Sequence, residues 1–179
     1  MAMLVALSIV LVYFVHFPIF PSAKFLEYDP ADIPILIGTF SFGPLAGLVI
    51  TVIASAIQAL TVSAASGPYG FIMHVIATGV LVLVSGVIYK YKHTRIGAVI
   101  GLCLGAVAMA VVMCIANHFI TPFYMNAPQS VVDAMLLPII LPFNLIKAGI
   151  NAVVTFLLYK TVSRHIINPG KKTSAGGGH

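Results

Sequence analysis

The sequence predicts an all-α membrane protein: six transmembrane helices in a single domain, with the N- and C-termini cytoplasmic. Three observations carry that reading. Hydrophobic residues make up 60% of the 179-residue chain and charged residues only 7%, against about 25% charged in an average soluble domain. Mean hydropathy is +1.10. The apolar residues fall into runs close to the ~20 residues that cross a bilayer, separated by Pro, Gly or charge. A soluble domain of this size buries only about 70% of its unfolded surface, so lipid must be the solvent over most of the chain. The same numbers exclude disorder. The net charge of +5 serves orientation in the bilayer rather than nucleic-acid binding.

Met1 to Phe17 is the first span, interrupted only by Ser8, Tyr13 and His16 and stopped by Pro18 and Pro21. It lacks the basic start of a signal peptide, and Pro21-Ser22-Ala23 is a weak cleavage site, so it reads as a helix that stays. Phe17 to Pro30 is a loop holding Lys24, Glu27 and Asp29, with Asp32 just after. Ala31 to Val62 as one helix would be about 48 Å long, well beyond a hydrocarbon core of about 30 Å. Gly43-Pro44 near its middle divides it into a short helix, Ala31 to Phe42, and a longer one, Leu45 to Val62, since proline removes a donor and clashes with the preceding turn. A single kinked, tilted helix is the alternative.

Ser66-Gly67-Pro68 marks a turn. Gly70 to Tyr89 is the fourth span, and Lys90, Lys92 and Arg95 form a short basic loop. Ile96 to Asn117 is the fifth span. Ile120 to Pro142 is a long connection carrying Pro122, Pro128 and Pro138. It contains a helix near Ser130 to Leu137, with Ser130 as N-cap and Asp133 as its capping partner. Phe143 to Val162 is the sixth span. The domain covers residues 1–168. Residues 169–179, ending Ser174-Ala175-Gly176-Gly177-Gly178-His179, read as an appended tail.

The positive-inside rule places the Lys90 loop and the C-terminus, with Lys160, Arg164, Lys171 and Lys172, in the cytoplasm. Glu27, Asp29, Asp32 and Asp133 then face outside. Five spans would satisfy the basic loops equally well and turn the first loop inward. The two cysteines, Cys103 and Cys114, would lie about 16 Å apart on one helix, too far for a disulfide; they read as small apolar fillers.

Lys147 is the anomaly. A lysine at a helix centre costs about 2.5–3.5 kcal/mol on insertion scales. Asn144, Lys147 and Asn151 stand at i, i+3 and i+7 and share one face. Such a stripe should face a cavity or a partner helix rather than lipid; a lysine snorkelling to the outer interface, with asparagines joining helices, is the competing reading. Asn117 closes the fifth span on the same outer side. His16, His74 and His118 have no ligand spacing with one another and read, like Gln58, as helix-packing residues, with no metal site. Small residues at spacing four, Ala2 and Ala6 and then Gly97, Gly101 and Gly105, let helices approach closely. No ATP-binding loop is present, and no intramembrane carboxylate of the later spans is available for a proton relay. An outward-facing polar pocket without an engine suits a binding subunit, not an enzyme.

Phe17-Pro18-Ile19, Leu26-Glu27-Tyr28-Asp29-Pro30-Ala31-Asp32-Ile33-Pro34, Phe42-Gly43-Pro44-Leu45-Ala46-Gly47 and Pro142-Phe143-Asn144-Leu145-Ile146-Lys147 together resemble the riboflavin-binding S-components of energy-coupling factor (ECF) vitamin transporters. The resemblance runs from about Ala2 to His165. The Asp-x-x-Asp-x-Pro loop with the Pro-Phe-Asn-x-x-Lys segment is specific; the small-residue motif alone is not. The resemblance implies the six-helix S-component fold in a bacterial cell membrane, with riboflavin as transported ligand, not cofactor, held near the outer face. It implies flavin contacts from Asn117, Asn144 and Lys147, and from Tyr28 and Thr39 around the first loop and second helix. It implies that Ala2 and Ala6 dock on a transmembrane coupling protein that works with two ATPase subunits. His74 stands where some relatives carry an amide and would join the contacts if it enters the pocket. The chemistry is compatible: an asparagine matches the N–H and carbonyls of a flavin edge, a lysine donates to a carbonyl or ribityl hydroxyl, and Tyr13, Phe14, Phe20, Phe25, Phe123 and Tyr124 supply apolar faces. An S-component for thiamine or a folate, and a non-transport assembly protein whose polar stripe only packs helices, are the alternatives.

Overall fold

The computed structural model describes residues 1–21, 23 and 25–162. Lys24, Arg164, Lys171, Lys172 and the expected tail at 169–179 lie outside the described residues. Seven α-helices carry the described chain: α1 (Ala2–Phe14), α2 (Asp32–Phe42), α3 (Pro44–Leu60), α4 (Gly67–Tyr91), α5 (Arg95–Met125), α6 (Gln129–Met135) and α7 (Leu141–Val162). A small antiparallel ladder, β1 (Phe17–Pro18) with β2 (Glu27–Tyr28), pairs Phe17 with Tyr28 and ties the first loop into a hairpin. Gly67–Tyr91, Arg95–Met125 and the run Gln129–Tyr159 are long and apolar enough to cross a membrane, while α1, α2 and α3 are shorter apolar helices.

The break between α2 and α3 is where the sequence puts it. Gly43 takes φ 97° and ψ 168°, a conformation essentially confined to glycine. Pro44 then opens α3, where its missing N–H is no loss. Gly67, at φ 48°, likewise starts α4 with Pro68 behind it. Thr94 caps α5 by accepting from the Gly97 amide at 3.0 Å.

Three local expectations are corrected. The fifth span does not end at Asn117: α5 runs on through Pro122 and stops at Asn126, which takes the left-handed conformation (φ 48°). Pro122 sits in the last turn, so its lost bond falls where the helix is about to end. The connection 120–142 is mostly helical; around Pro138 the chain widens into a π-helical turn, Leu136–Ile140, which accommodates a residue that has no N–H to give. Ser130 does not cap α6: Pro128 is the N-cap, and Asp133 turns to His118 at 2.5 Å instead.

The core lies among α2, α3, α4 and α5, with Ile35, Leu36, Ile50, Leu81, Val82 and Met109 fully enclosed. α4 packs most extensively on α5. A Cβ at Gly101 would come within 2.9 Å of the Ser85 carbonyl oxygen and one at Gly105 within 3.1 Å of the Leu81 oxygen. The glycine series therefore serves internal helix packing. A second apolar cluster joins the first loop (Ala23, Leu26) to α6 (Val132), the π-helical turn (Ile140) and the start of α7 (Phe143). Cys103 and Cys114 are unpaired thiols.

Candidate functional site

The polar stripe on α7 turns inward. Asn144 and Asn151 are fully buried and Lys147 is 7% exposed. Asn144 steadies itself by donating to the Ile140 carbonyl at 2.8 Å. The Lys147 ammonium donates to Asp29 Oδ2 at 2.7 Å, so the first loop is fastened across the fold to α7. Asn151 Nδ2 donates to the Asp29 carbonyl (3.1 Å) and to Asp32 Oδ2 (2.9 Å), and its Oδ1 accepts from the Tyr28 hydroxyl at 3.0 Å. Thr78 on α4 donates to the other oxygen of Asp32 at 2.6 Å. Asp32 stands in the first turn of α2, where the helix dipole favours a negative charge. Burial alone would raise the Asp29 carboxyl, but the Lys147 ammonium and hydrogen bonds from Lys147 and the Ala31 amide outweigh it and hold it below the ordinary carboxylate value. Burial, with the Asp29 charge adding to it, pushes the Tyr28 phenol up.

Beside this network lies a cavity of about 120 Å³. One wall is Asn117, Asn144 and Lys147, so α5 and α7 bring together the three residues the sequence singles out. Asn117 is oriented by its own helix: Nδ2 donates to the Met113 carbonyl at 2.7 Å, and Oδ1 accepts from Thr121 at 2.7 Å. Ser55 and Gln58 of α3, His74 of α4 and, from the first loop, Phe25, Leu26, Glu27 and Asp29 complete the lining. Met73, Met109, Met113 and Phe143 supply apolar surface.

The remaining expected contacts lie elsewhere. Tyr28 sits behind the cavity, packed on Phe17 at 5.4 Å between rings and bonded to Asn151. Thr39 lies at the junction of α2, α3 and α4, donating to the Ile35 carbonyl at 2.8 Å and filling the space left by Gly47 and Gly86. Ala2 and Ala6 are exposed on α1. Of the expected aromatic faces Phe25 alone lines the cavity. Tyr13, Phe14 and Phe123 are exposed, Phe20 packs in the second apolar cluster, and Tyr124 stacks on Tyr69 at 3.9 Å.

Two residues expected to pack helices, Gln58 and His74, line the cavity. His74 Nδ1 is within 2.7 Å of the Ser55 hydroxyl, and its Nε2 faces Asp29 and Asp32 at 4.0 and 3.9 Å. His74 Nε2 and Gln58 Nε2 are buried with no hydrogen-bond partner among the described residues. Ser55 and Gln58 stand at i and i+3, a shared-face spacing that could have flagged them. No group of metal-binding side chains occurs among the described residues.

Comparison with known proteins agrees with this architecture. The family model "ECF transporter, substrate-specific component" matches residues 1–159. The riboflavin transporter RibU of Staphylococcus aureus (strain TCH60) is 28% identical over 171 residues, covering 92% of this chain and 89% of that protein. The riboflavin transporter FmnP of Bacillus subtilis (strain 168) is 30% identical over 166 residues, covering 88% and 87%. A solved S component of a bacterial ECF transporter superposes with a TM-score of 0.81 at 30% identity, over 92% of this chain and 94% of that one. With a cavity lined by buried polar groups, helices long and apolar enough to cross a membrane and a match over nearly its whole described length, the chain belongs to the substrate-specific components of ECF transporters.

Proposed function

We propose that this chain is the capture subunit of a vitamin importer in the bacterial cell membrane, binding riboflavin at the outer face and delivering it inward. The meeting of Asn117, Asn144 and Lys147 at one cavity wall is the observation that carries this reading, and the riboflavin transporters among its relatives support the choice of ligand. Each asparagine spends one amide hydrogen on its own helix and keeps another for the ring edge of a flavin. Lys147 donates to a ring carbonyl or a ribityl hydroxyl. Tyr28 positions the α7 stripe through Asn151 rather than touching the ligand, and Thr39 serves helix packing. The cavity, about 120 Å³, is smaller than the ~300 Å³ and above of ordinary small-molecule sites, so the segment bearing Phe25 to Glu27, ahead of the anchored Asp29, yields for a tricyclic ring to enter.

The chain crosses the membrane six times, with both termini and the Lys90 loop on the cytoplasmic side. It forms one domain over residues 1–168. A transmembrane coupling protein and two ATPase subunits supply the energy, and the exposed Ala2 and Ala6 on α1 form the docking stripe for the coupling protein.

The test is direct. The chain purified without added ligand is examined for a flavin absorption spectrum, then titrated with riboflavin and followed by quenching of flavin fluorescence. Saturable one-to-one binding is expected. Asn144→Ala with Lys147→Ala should abolish it while circular dichroism stays helical. Tight binding retained by that variant rejects the site; binding of thiamine or a folate in place of riboflavin rejects the ligand.

A further inference from the structure

The side of the cavity made by α3 and α4 carries unmatched hydrogen-bond donors. Gln58 and His74 line the cavity, and the Nε2 atom of each is buried with no hydrogen-bond partner among the described residues. Leaving a buried donor unpaired costs about 1–3 kcal/mol, so two such donors beside one cavity point to a ligand that accepts from them.

The tautomer of His74 is set by its surroundings. Nε2 faces the carboxylate oxygens of Asp29 at 4.0 Å and of Asp32 at 3.9 Å. A lone pair there would be repelled by both, so Nε2 carries hydrogen and Nδ1 accepts from the Ser55 hydroxyl at 2.7 Å. The gap between Nε2 and Asp29 Oδ1 is too long for a direct bond. It suits one bridging hydroxyl: an oxygen about 2.8 Å from each atom sees the two at about 90°, accepting from N–H and donating to the carboxylate. A ring carbonyl or a phosphate oxygen can accept from Nε2 but has no proton for Asp29.

We propose that His74, oriented by Ser55 and paired with Asp29 across this gap, forms a hydroxyl-recognition subsite that takes the polyol part of the ligand, with Gln58 donating to a neighbouring hydroxyl. This deepens the riboflavin reading and rests on it. It divides the cavity by chemistry, with the Asn117 and Asn144 wall reading the ring and the α3–α4 wall reading the chain.

The experiment compares riboflavin with lumiflavin, which has the same tricyclic ring but a methyl group in place of the ribityl chain. Both are titrated against the full-length chain in detergent. The unaltered chain should prefer riboflavin. His74→Phe should weaken riboflavin binding about tenfold or more and change lumiflavin binding by less than about threefold. His74→Gln, which keeps a donor, should recover most of the loss. Equal losses for both ligands, or no loss for either because an ordered water only fills the gap, overturn the proposal. If His74→Phe fails to fold, Ser55→Ala and Gln58→Leu apply the same differential, a riboflavin-selective loss supporting the subsite and a uniform one rejecting it. Binding of neither flavin by the unaltered chain instead overturns the riboflavin reading, and the assigned occupant with it.

Discussion

Without the Lys147 ammonium, Asp29 would be left buried with Asp32 close by. Lys147→Met should therefore destabilise the protein by roughly 3 kcal/mol, toward the low end for a broken buried pair because Asp29 can take up a proton. Adding Asp29→Asn should return most of that stability without returning flavin affinity, which thermal melts and titrations in detergent check separately. The pair also fixes a pH dependence. The folded Asp29 carboxyl lies below its ordinary value of 3.8, so the unfolded chain binds the proton first and stability falls with acidification. The contribution is fully present above that ordinary value and is lost as pH drops through the lower folded one. Melting temperatures from pH 7 to pH 3 should show an acid-side decline that Asp29→Asn lessens. At this scale the sequence is partly legible. Lys147 with Asn144 and Asn151 is visible because a cation among apolar residues demands shelter. Its partner Asp29 is not, because 118 positions separate them and only tertiary folding closes that distance. His74 enters the sequence reading only conditionally and Gln58 only as a packing residue; the i, i+3 spacing of Ser55 and Gln58 is the one local signal, and it does not by itself distinguish cavity from packing.

Among elements, the α4–α5 pair depends on close approach. A Cβ at Gly101 would press on the Ser85 carbonyl oxygen and, at 3.3 Å, on its Cα. Backbone cannot swing aside as a long side chain can, so Gly101→Leu should cost about 1–3 kcal/mol, read as a lower unfolding temperature in detergent. Helix existence is the most legible level: every expected span has a helix at its place, because an apolar run between breakers leaves the chain little choice in lipid. Ends are less legible. Pro122 looks like a stop and is not one, since the helix beyond it needs only another turn before Asn126. Ser130 looks like a cap, yet Asp133 is drawn to His118, a partner on another helix that no local pattern reveals. The β1–β2 ladder has only two residues in each strand, too short for any alternation to register.

For the whole molecule, the exposed face of α1 is where assembly is expected to register. Ala6→Trp should reduce co-purification with the coupling protein about tenfold or more while leaving riboflavin affinity within twofold, as expected if small residues permit close helix docking; pull-downs beside titrations separate the two. Inside, α2 is hemmed by α1, α3, α4 and α7. Its entry is pinned from three sides: Ser8 donates to the Ala31 carbonyl at 3.0 Å, while Thr78 and Asn151 hold Asp32. Any rearrangement that admits a guest must therefore pivot before Ala31, since α2 itself is clamped. In hydrogen–deuterium exchange with and without riboflavin, amides 25–28 should change protection on binding, while amides 35–40 stay slow in both conditions. The second helix is the fixed post against which the threshold of the chamber is set.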